Sequence, residues 1–127
     1  MDAWDGYPVQ RDAILTTVKS LNKNLVVLSG DSHNGWFTQL TTLAGVKAGV
    51  EFAGSSVTSS GFESVGLGLV NDLGYVDTKR RGSLLMTVTA ASVKGEYVFV
   101  NTVKSKTYTA SIGKTITVTA LGAVTYA

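Results

Sequence analysis

The first part of the chain shows apolar positions at the spacing of a helix. Apolar side chains recur every three or four residues after Pro8, which suits a first helical turn because that turn needs no N–H from it. The polar stretch Asn22-Lys23-Asn24 ends the pattern. We therefore predict an amphipathic helix over residues 8–22. Its apolar stripe comprises Ile14, Leu15, Val18 and Leu21.

A continuous apolar run, Leu25-Val26-Val27-Leu28, follows the helix and stops at the polar segment 29–33. A run without alternation is typical of a strand that is covered on both faces, as in the interior of an α/β sheet. The helix, the short connection and this strand together predict an α-β unit.

The pattern weakens in the middle of the chain. Residues 36–43 fit a short helix or a loop, residues 50–53 fit a short strand, and the small residues 54–61 predict a loop. Residues 62–81 remain ambiguous, because the glycines within them disfavour a helix.

The last third of the chain predicts strands. Residues 82–89, 96–103 and 115–119 are rich in β-branched side chains, and residues 92–95 supply a turn that would pair the first two as an antiparallel hairpin. Residues 124–126 fit a further edge strand. The whole chain contains 17 Val, 16 Thr and 3 Ile, an excess that favours strands. We therefore predict the α/β class, with a mixed sheet and few helices.

Composition excludes several kinds of protein. The length of 127 residues suits a single domain, and the lack of Cys excludes a disulfide framework or a thiol nucleophile. The net charge of +2, with Lys79-Arg80-Arg81 as the longest basic run, does not indicate a nucleic-acid partner. No stretch approaches the roughly 18 apolar residues of a membrane helix, so we expect no membrane partner. The mean hydropathy of +0.20 is high and suggests surface meant to be covered.

Gly30-Asp31-Ser32-His33 is the segment with the most chemistry. It follows the predicted strand 25–28, and ligands bind at such strand ends in open α/β sheets. In an extended segment, Asp31 and His33 would point to the same side. A carboxylate and an imidazole suit a metal ion or a phosphoryl group. A turn Asp with a structurally satisfied His is an equal alternative, and a Ser32–His33 hydrolase pair is a weaker one.

A second cluster, Asp2-Ala3-Trp4-Asp5-Gly6-Tyr7-Pro8, precedes the predicted helix. It is explained either as a helix entry with a cap and aromatic anchors, which we favour, or as an acidic and aromatic rim beside a polar site. Gly113-Lys114-Thr115 resembles the end of a phosphate-binding loop, but Tyr108 stands where that motif needs Gly.

These segments, taken in order, resemble the landmarks of the alkaline phosphatase D (PhoD-like) metallophosphoesterases. The resemblance covers most of the chain to about residue 105, and the residues from about 82 to 127 are similar to the closing strands of that family. Its carriers are residues 2–8, Arg11, residues 26–34, 49–52 and 56–59, Tyr75, Asp77, residues 81–82 and 97–103.

The resemblance implies a layered α-β-β-α core, hydrolysis of phosphoesters and a metal centre that uses calcium and iron. Asp31 would be a metal ligand, and His33 would be both a metal ligand and the catalytic residue of the phosphate shell. Trp4, Asp5 and Asn34 would line the substrate site. Members of the family are typically secreted or periplasmic.

The resemblance further implies a fragment. The other metal ligands of the family lie upstream of the Trp-Asp-Gly-Tyr-Pro block, where this sequence has no residues. Residues 1–127 would therefore form a C-terminal segment that is inactive alone and need not bind a metal. We expect such a segment to self-associate as a homodimer through uncovered sheet surface. The alternative is a non-catalytic binding or structural module in which Gly30-Asp31-Ser32-His33 is only a turn.

Overall fold

The computed structural model describes residues 4–60 and 73–127, which form one α-helix and eight strands. A 3₁₀ turn at Trp4–Gly6 precedes the helix α1 (Pro8–Ser20), and Pro8 occupies its first turn as predicted. The strands are β1 (Leu25–Ser29), β2 (Gly35–Thr41), β3 (Lys47–Ala53), β4 (Leu73–Asp77), β5 (Arg81–Val88), β6 (Ser92–Val100), β7 (Ala110–Thr119) and β8 (Val124–Tyr126).

The strands form two four-stranded sheets. The first has the order β1-β3-β2-β4, in which β1 and β3 run parallel and the other neighbours run antiparallel. The second has the order β5-β6-β7-β8 and is antiparallel throughout. The predicted mixed sheet and the C-terminal hairpin are therefore confirmed, but the hairpin belongs to a separate sheet.

The two sheets pack face to face over an apolar core. Aromatic and β-branched side chains from β2 and β3 meet those from β6 and β7, as expected where strands alternate inward and outward residues. Phe37 and Phe52 approach edge to face, with ring centroids 4.8 Å apart. The buried members of this core are Phe37, Val50, Phe52, Tyr97, Phe99, Ile116 and Val118.

Helix α1 covers the other face of the first sheet. Leu15 is buried there against Leu40 and Ala48. The predicted stripe is only partly correct, because Ile14 and Leu21 are exposed and the helix ends at Ser20. The family resemblance implied four layers. The described residues supply three of them: a helix, a mixed sheet and an antiparallel sheet.

Strand β1 differs from the prediction of a strand in the interior of the sheet. It has both faces covered over its first part, because Val26 points into the core between the sheets while Leu25 and Val27 point toward α1. This explains the unbroken apolar run. However, β1 is the first strand in the sheet order, and Leu28 is 60% exposed.

Residues 36–43, predicted as a short helix or a loop, form most of the central strand β2 instead. Phe37 and Leu40 are both buried, but they face different neighbours, since one joins the core between the sheets and the other joins the cluster under α1. With both faces covered, the segment lacks the strict alternation by which a half-exposed strand is recognised.

The turn between β5 and β6 lies earlier than predicted. The amide of Thr89 donates to the Ser92 carbonyl (2.9 Å), and the Thr89 hydroxyl accepts from the Ser92 amide (3.0 Å), so the turn occupies residues 89–92. Gly95, which we predicted to lie in the turn, is inside β6. A glycine within a strand commonly marks a close approach rather than a turn.

The other boundaries shift by a few residues. The strand predicted at 50–53 begins at Lys47, that at 115–119 begins at Ala110, and that at 124–126 is confirmed. Of the ambiguous residues 62–81, the structure describes β4 and the turn that follows it; residues 61–72 lie outside the described part. Across residues 4–60 and 73–127, no helix has the length and apolar character needed to cross a membrane.

Replacing Gly95 by Ala should destabilise the fold. A Cβ at this position would lie 2.5 Å from a ring carbon of the fully buried Phe52, so the two sheets would have to separate or the ring would have to move. Overpacking of this kind costs about 1–3 kcal/mol. Urea denaturation of Gly95→Ala measures the loss. Gly54→Ala, whose Cβ would have its nearest neighbours 3.9 Å away, is the control; equal stability of the two variants would contradict this packing.

Candidate active site

Four chain segments meet at one end of the first sheet. Strand β1 ends there at Ser29, β3 at Ala53 and β4 at Asp77, whereas the antiparallel β2 begins there at Gly35, which pairs with Asp77. The connections at this end therefore include residues 30–34, 54–60 and 78–80. The candidate metal ligands Asp31 and His33 both lie in the first of them.

The 30–34 segment is tightly turned. The Ser32 amide donates to the Gly30 carbonyl (2.8 Å), and Asp31 between them has φ +66°. This is the rare γ-turn with positive φ, which is strained. His33 also has a left-handed backbone, with φ +62°. The prediction of an extended segment is therefore wrong, and its argument for same-side placement of the two side chains no longer applies.

Two non-glycine residues at positive φ, two positions apart, are unusual. Such conformations persist where the surroundings over-determine them, and they cluster at functional sites. Asp31 is exposed, so its side chain is accessible from solvent. The strained turn thus supports the functional interpretation of this segment over the plain-turn interpretation.

His33 is held by the neighbouring loop 54–60. Its Nδ1 lies 2.8 Å from the Ser60 carbonyl oxygen, and its own carbonyl accepts from the Ser56 amide (3.3 Å). The Ser56 carbonyl in turn accepts from the Gly82 amide at the start of β5 (3.0 Å). The loop therefore connects the His33 turn to the second sheet.

Asn34, a predicted substrate-binding residue, is only 3% exposed. Its carbonyl lies 3.5 Å from the Ser32 hydroxyl. Asn34 lies in the same connection as Asp31 and His33, but its side chain is directed into the protein rather than toward solvent.

Trp4 lies elsewhere. It packs against the cluster under α1, and the Arg11 guanidinium is 5.8 Å from its ring centroid. Arg11 also contacts the carbonyl of Thr41, the last residue of β2 (3.4 Å), whereas His33 precedes the first residue of that strand. These contacts fit the helix-entry interpretation of Trp4. Asp5 lies in the 3₁₀ turn, and its side chain is outside the described part of the structure.

Asp77 and Arg80 form a second polar cluster at the same sheet end, which reasoning from the residues alone did not identify. The Asp77 carboxylate accepts from the amides of Lys79 (3.0 Å) and Arg80 (2.7 Å) and from Arg80 Nε (2.6 Å). The Arg80 guanidinium also stacks on Phe99, 4.1 Å from its ring centroid. An Asp three residues before an Arg at a strand end was the available signal.

Electrostatics at this cluster follow from these contacts. Burial of the Asp77 carboxylate opposes ionisation, but the donors of Arg80 and Lys79 outweigh it and lower the pKa of Asp77 below its usual value. Burial, and then the charge of Asp77, raise the pKa of Tyr75, an effect that Arg80 partly offsets. The sheet end therefore carries a fixed Asp–Arg pair beside the basic residues Lys79 and Arg81.

Tyr97 lies beneath the site. Its hydroxyl donates to the carbonyl of Trp36, and its ring would be only 3.3 Å from a Cβ at Gly35, so that position admits no side chain without a shift. Burial raises the pKa of Tyr97 far above its usual value. The phenol is consequently a protonated donor that supports the start of β2, directly after the His33 turn.

A cleft of about 410 Å³ lies at the opposite end of the sandwich. Its polar lining includes Lys23, Asn24, Gln39 and Lys47 and lacks any Asp, Glu or His. We do not assign phosphoester chemistry to it, because it has no group able to ligate a hard metal ion or to transfer a proton near neutral pH.

Asp31 and His33 suit a metal ion but do not complete a site. A carboxylate oxygen and an imidazole nitrogen are common ligands of iron, and calcium prefers the oxygen. Among residues 4–60 and 73–127, no group of three or more His, Cys, Asp or Glu side chains could hold a metal ion. The side chains of this part of the chain therefore do not form a metal centre by themselves.

Comparisons with known proteins agree on one family. A model of the PhoD-like phosphatases matches residues 1–97. Alkaline phosphatase D of Bacillus subtilis (strain 168) is 44% identical over 66 residues, which represent 48% of this chain and 11% of that protein. A solved structure of PhoD is similar with a TM-score of 0.83 and 28% identity, over 98% of this chain and 26% of that one. The chain thus spans about a tenth to a quarter of the length of these relatives.

Replacing Asp77 by Asn should destabilise the protein in a pH-dependent way. The pKa of Asp77 is lower in the folded protein than its unfolded value of about 3.8. The stabilisation of the fold by the ionised carboxylate is therefore fully present above about pH 3.8 and is lost as the pH falls through the pKa of the folded state. At pH 7 we expect a loss on the order of 1 kcal/mol, since Arg80 is half exposed and solvent screens the pair. Urea denaturation at pH 7 and near pH 3 measures it.

The control for this prediction is the same substitution in an Arg80→Ala background, where the effect at pH 7 should shrink because the ion-pair partner is gone. A destabilisation that is the same at both pH values would contradict the assigned role of the ionised carboxylate.

Proposed function

Because the chain belongs to the PhoD-like phosphatase family, we propose that it supplies one part of a metal-dependent phosphoesterase centre, with Asp31 as a metal ligand and His33 in the metal and phosphate shell. The observation that carries this proposal is the strained turn at a sheet end that presents both residues. The family is metal-dependent, and calcium and iron are the ions that we propose.

The roles that we propose for Asp31 and His33 follow from the chemistry of their side chains. A metal ion held there would supply Lewis-acid polarisation of a phosphoryl oxygen. The exposed carboxylate of Asp31 supplies a hard, anionic oxygen to the ion. His33 binds through a ring nitrogen or transfers a proton to a phosphoryl oxygen. The remaining ligands would come from other parts of a PhoD-like protein.

The surroundings favour an anionic substrate. Lys79, Arg80 and Arg81 occupy the connection between β4 and β5 and the start of β5, at the same sheet end as Asp31. Arg80 is engaged by Asp77, and the Arg81 guanidinium donates to the Lys79 carbonyl (2.5 Å). Positive charge at this sheet end suits a phosphoester, because the transition state of its hydrolysis gains negative charge.

A chimera tests this proposal. The segment of Bacillus subtilis alkaline phosphatase D that corresponds to this chain is replaced by residues of this chain, and kcat/KM is measured with p-nitrophenyl phosphate. We expect the chimera to be active, and Asp31→Asn and His33→Gln to lower kcat/KM by about 10²-fold or more. Thr58→Ala, an exposed position on the adjacent loop, is the matched control and should retain activity.

The chain by itself should show no appreciable turnover of this substrate. Turnover by the isolated chain that Asp31→Ala abolishes would contradict this expectation. Loss of activity in the chimera with Ser32→Ala but not with Asp31→Asn would contradict the metal-ligand role and indicate a serine hydrolase instead.

We also propose that the chain forms a homodimer through the β1 side of the sandwich. Among the described strands, β1 pairs with β3 alone, so no described strand pairs with the backbone donors and acceptors on its other edge. Strand β1 carries no charge and no proline, the devices by which proteins protect edges. Pairing of two β1 edges would satisfy these groups.

Exposed apolar side chains are present on β1 and on β5. The approach of Leu84 to Gly54 puts β5 below the end of β3, the strand that pairs with β1. Leu28 on β1 and Leu85 and Val88 on β5 are exposed apolar side chains. Their burial would add hydrophobic free energy to a dimer.

Size-exclusion chromatography with light scattering tests the dimer. We expect the mass of two chains at micromolar concentration, and the mass of one chain for Leu28→Lys, because a charge on the edge strand opposes pairing. Leu121→Lys, at a turn position that is 94% exposed, is the control and should remain dimeric. A wild-type monomer would contradict the proposal.

A further inference from the structure

The contacts of His33 define which of its ring nitrogens carries a proton. A carbonyl oxygen can only accept a hydrogen bond, and Nδ1 of His33 lies 2.8 Å from the carbonyl oxygen of Ser60. Nδ1 must therefore donate. In the neutral ring this leaves the basic lone pair on Nε2, because an imidazole has one N–H and one acceptor nitrogen.

The loop that provides this carbonyl is itself shaped by hydrogen bonds. The Ser56 hydroxyl donates to the Ser59 carbonyl (2.7 Å), which closes the loop one residue before Ser60. The Ser56 amide donates to the His33 carbonyl (3.3 Å), so the same residue also contacts the backbone of the His33 turn. We call Ser56, Ser59 and Ser60, which make these hydrogen bonds, the His33 clamp.

The clamp is anchored to the second sheet. The Ser56 carbonyl accepts from the Gly82 amide (3.0 Å), and the preceding Gly54 amide donates to the Ser29 carbonyl at the end of β1 (3.0 Å). Its position is thus determined by both sheets. A left-handed His33 needs such external support, because the conformation is unfavourable for a residue with a Cβ.

We propose that the His33 clamp selects the Nδ1–H tautomer of His33 and so makes Nε2 the nitrogen that meets the metal ion or the phosphoryl oxygen. Ser60 and Ser56 are positioning residues under this proposal, which rests on the role proposed for His33. A hydrogen bond from the second ring nitrogen to a carbonyl is the general way in which proteins orient a functional imidazole.

The chain is well suited to a direct test, since His33 is its only histidine. Long-range ¹H–¹⁵N correlation spectra of ¹⁵N-labelled protein, produced with a histidine-free tag and recorded at a pH where the ring is neutral, report one imidazole. We expect a protonated Nδ1 and an unprotonated Nε2. An Nε2–H tautomer, or averaged nitrogen shifts, would overturn the proposal.

A pair of variants locates the effect in the clamp. Ser56→Ala removes the hydroxyl that holds the Ser59 carbonyl, and we expect the ring nitrogens to shift toward a tautomeric average. Thr58→Ala leaves the hydrogen bonds of Ser56 and Ser60 in place and should keep the wild-type pattern. An unchanged pattern in Ser56→Ala, with dispersed backbone spectra showing that the protein is folded, would overturn the role of Ser56.

These outcomes are separable from those of the proposed function. The spectra require neither activity nor metal, whereas the chimera measures catalysis. An Nδ1–H tautomer together with full activity of His33→Gln in the chimera would refute the catalytic role of His33 while the tautomer stands. An Nε2–H tautomer with inactive His33→Gln would refute the clamp and leave the proposed function intact.

Discussion

The packing of Tyr97 between the two sheets is the interaction on which the rest of the structure depends. Its buried ring lies against Gly35 at the start of β2 and near Tyr75 on β4, with ring centroids 4.9 Å apart. Its hydroxyl donates a hydrogen bond to the carbonyl of Trp36, so the buried phenol oxygen is not left without a hydrogen bond. One side chain of the second sheet therefore fixes the strand that begins directly after the His33 turn.

This arrangement explains how a strained segment can persist. The turn at residues 30–34 has left-handed backbone at Asp31 and His33, and it is bounded by strands on both sides. Hydrogen bonds from the loop after β3, and from that loop to β5, connect the turn to both sheets. The antiparallel sheet thus supports the turn that contains Asp31 and His33, although neither residue belongs to that sheet.

The family membership and the geometry describe the same part of a larger architecture. Similarity to the solved PhoD structure extends over nearly the whole of this chain but about a quarter of that one. Within residues 4–60 and 73–127, no group of three or more potential metal ligands exists, and β1 stands at one end of its sheet with Leu28 exposed.

Local patterns determined much of this protein: the helix after Pro8, the apolar run of β1, the hairpin of β5 and β6, and Gly30-Asp31-Ser32-His33 at a strand end, because each depends on neighbours in the chain. The tertiary structure alone decided the rest. Position 95 tolerates only glycine within its strand, because a Cβ there would meet the ring of Phe52. Strand β2 contacts a different layer on each face, and Trp4 packs under α1. Asp77, Arg80 and the Ser60 carbonyl reach the site through sheet pairing and loop contacts between residues far apart in sequence, which no local periodicity encodes.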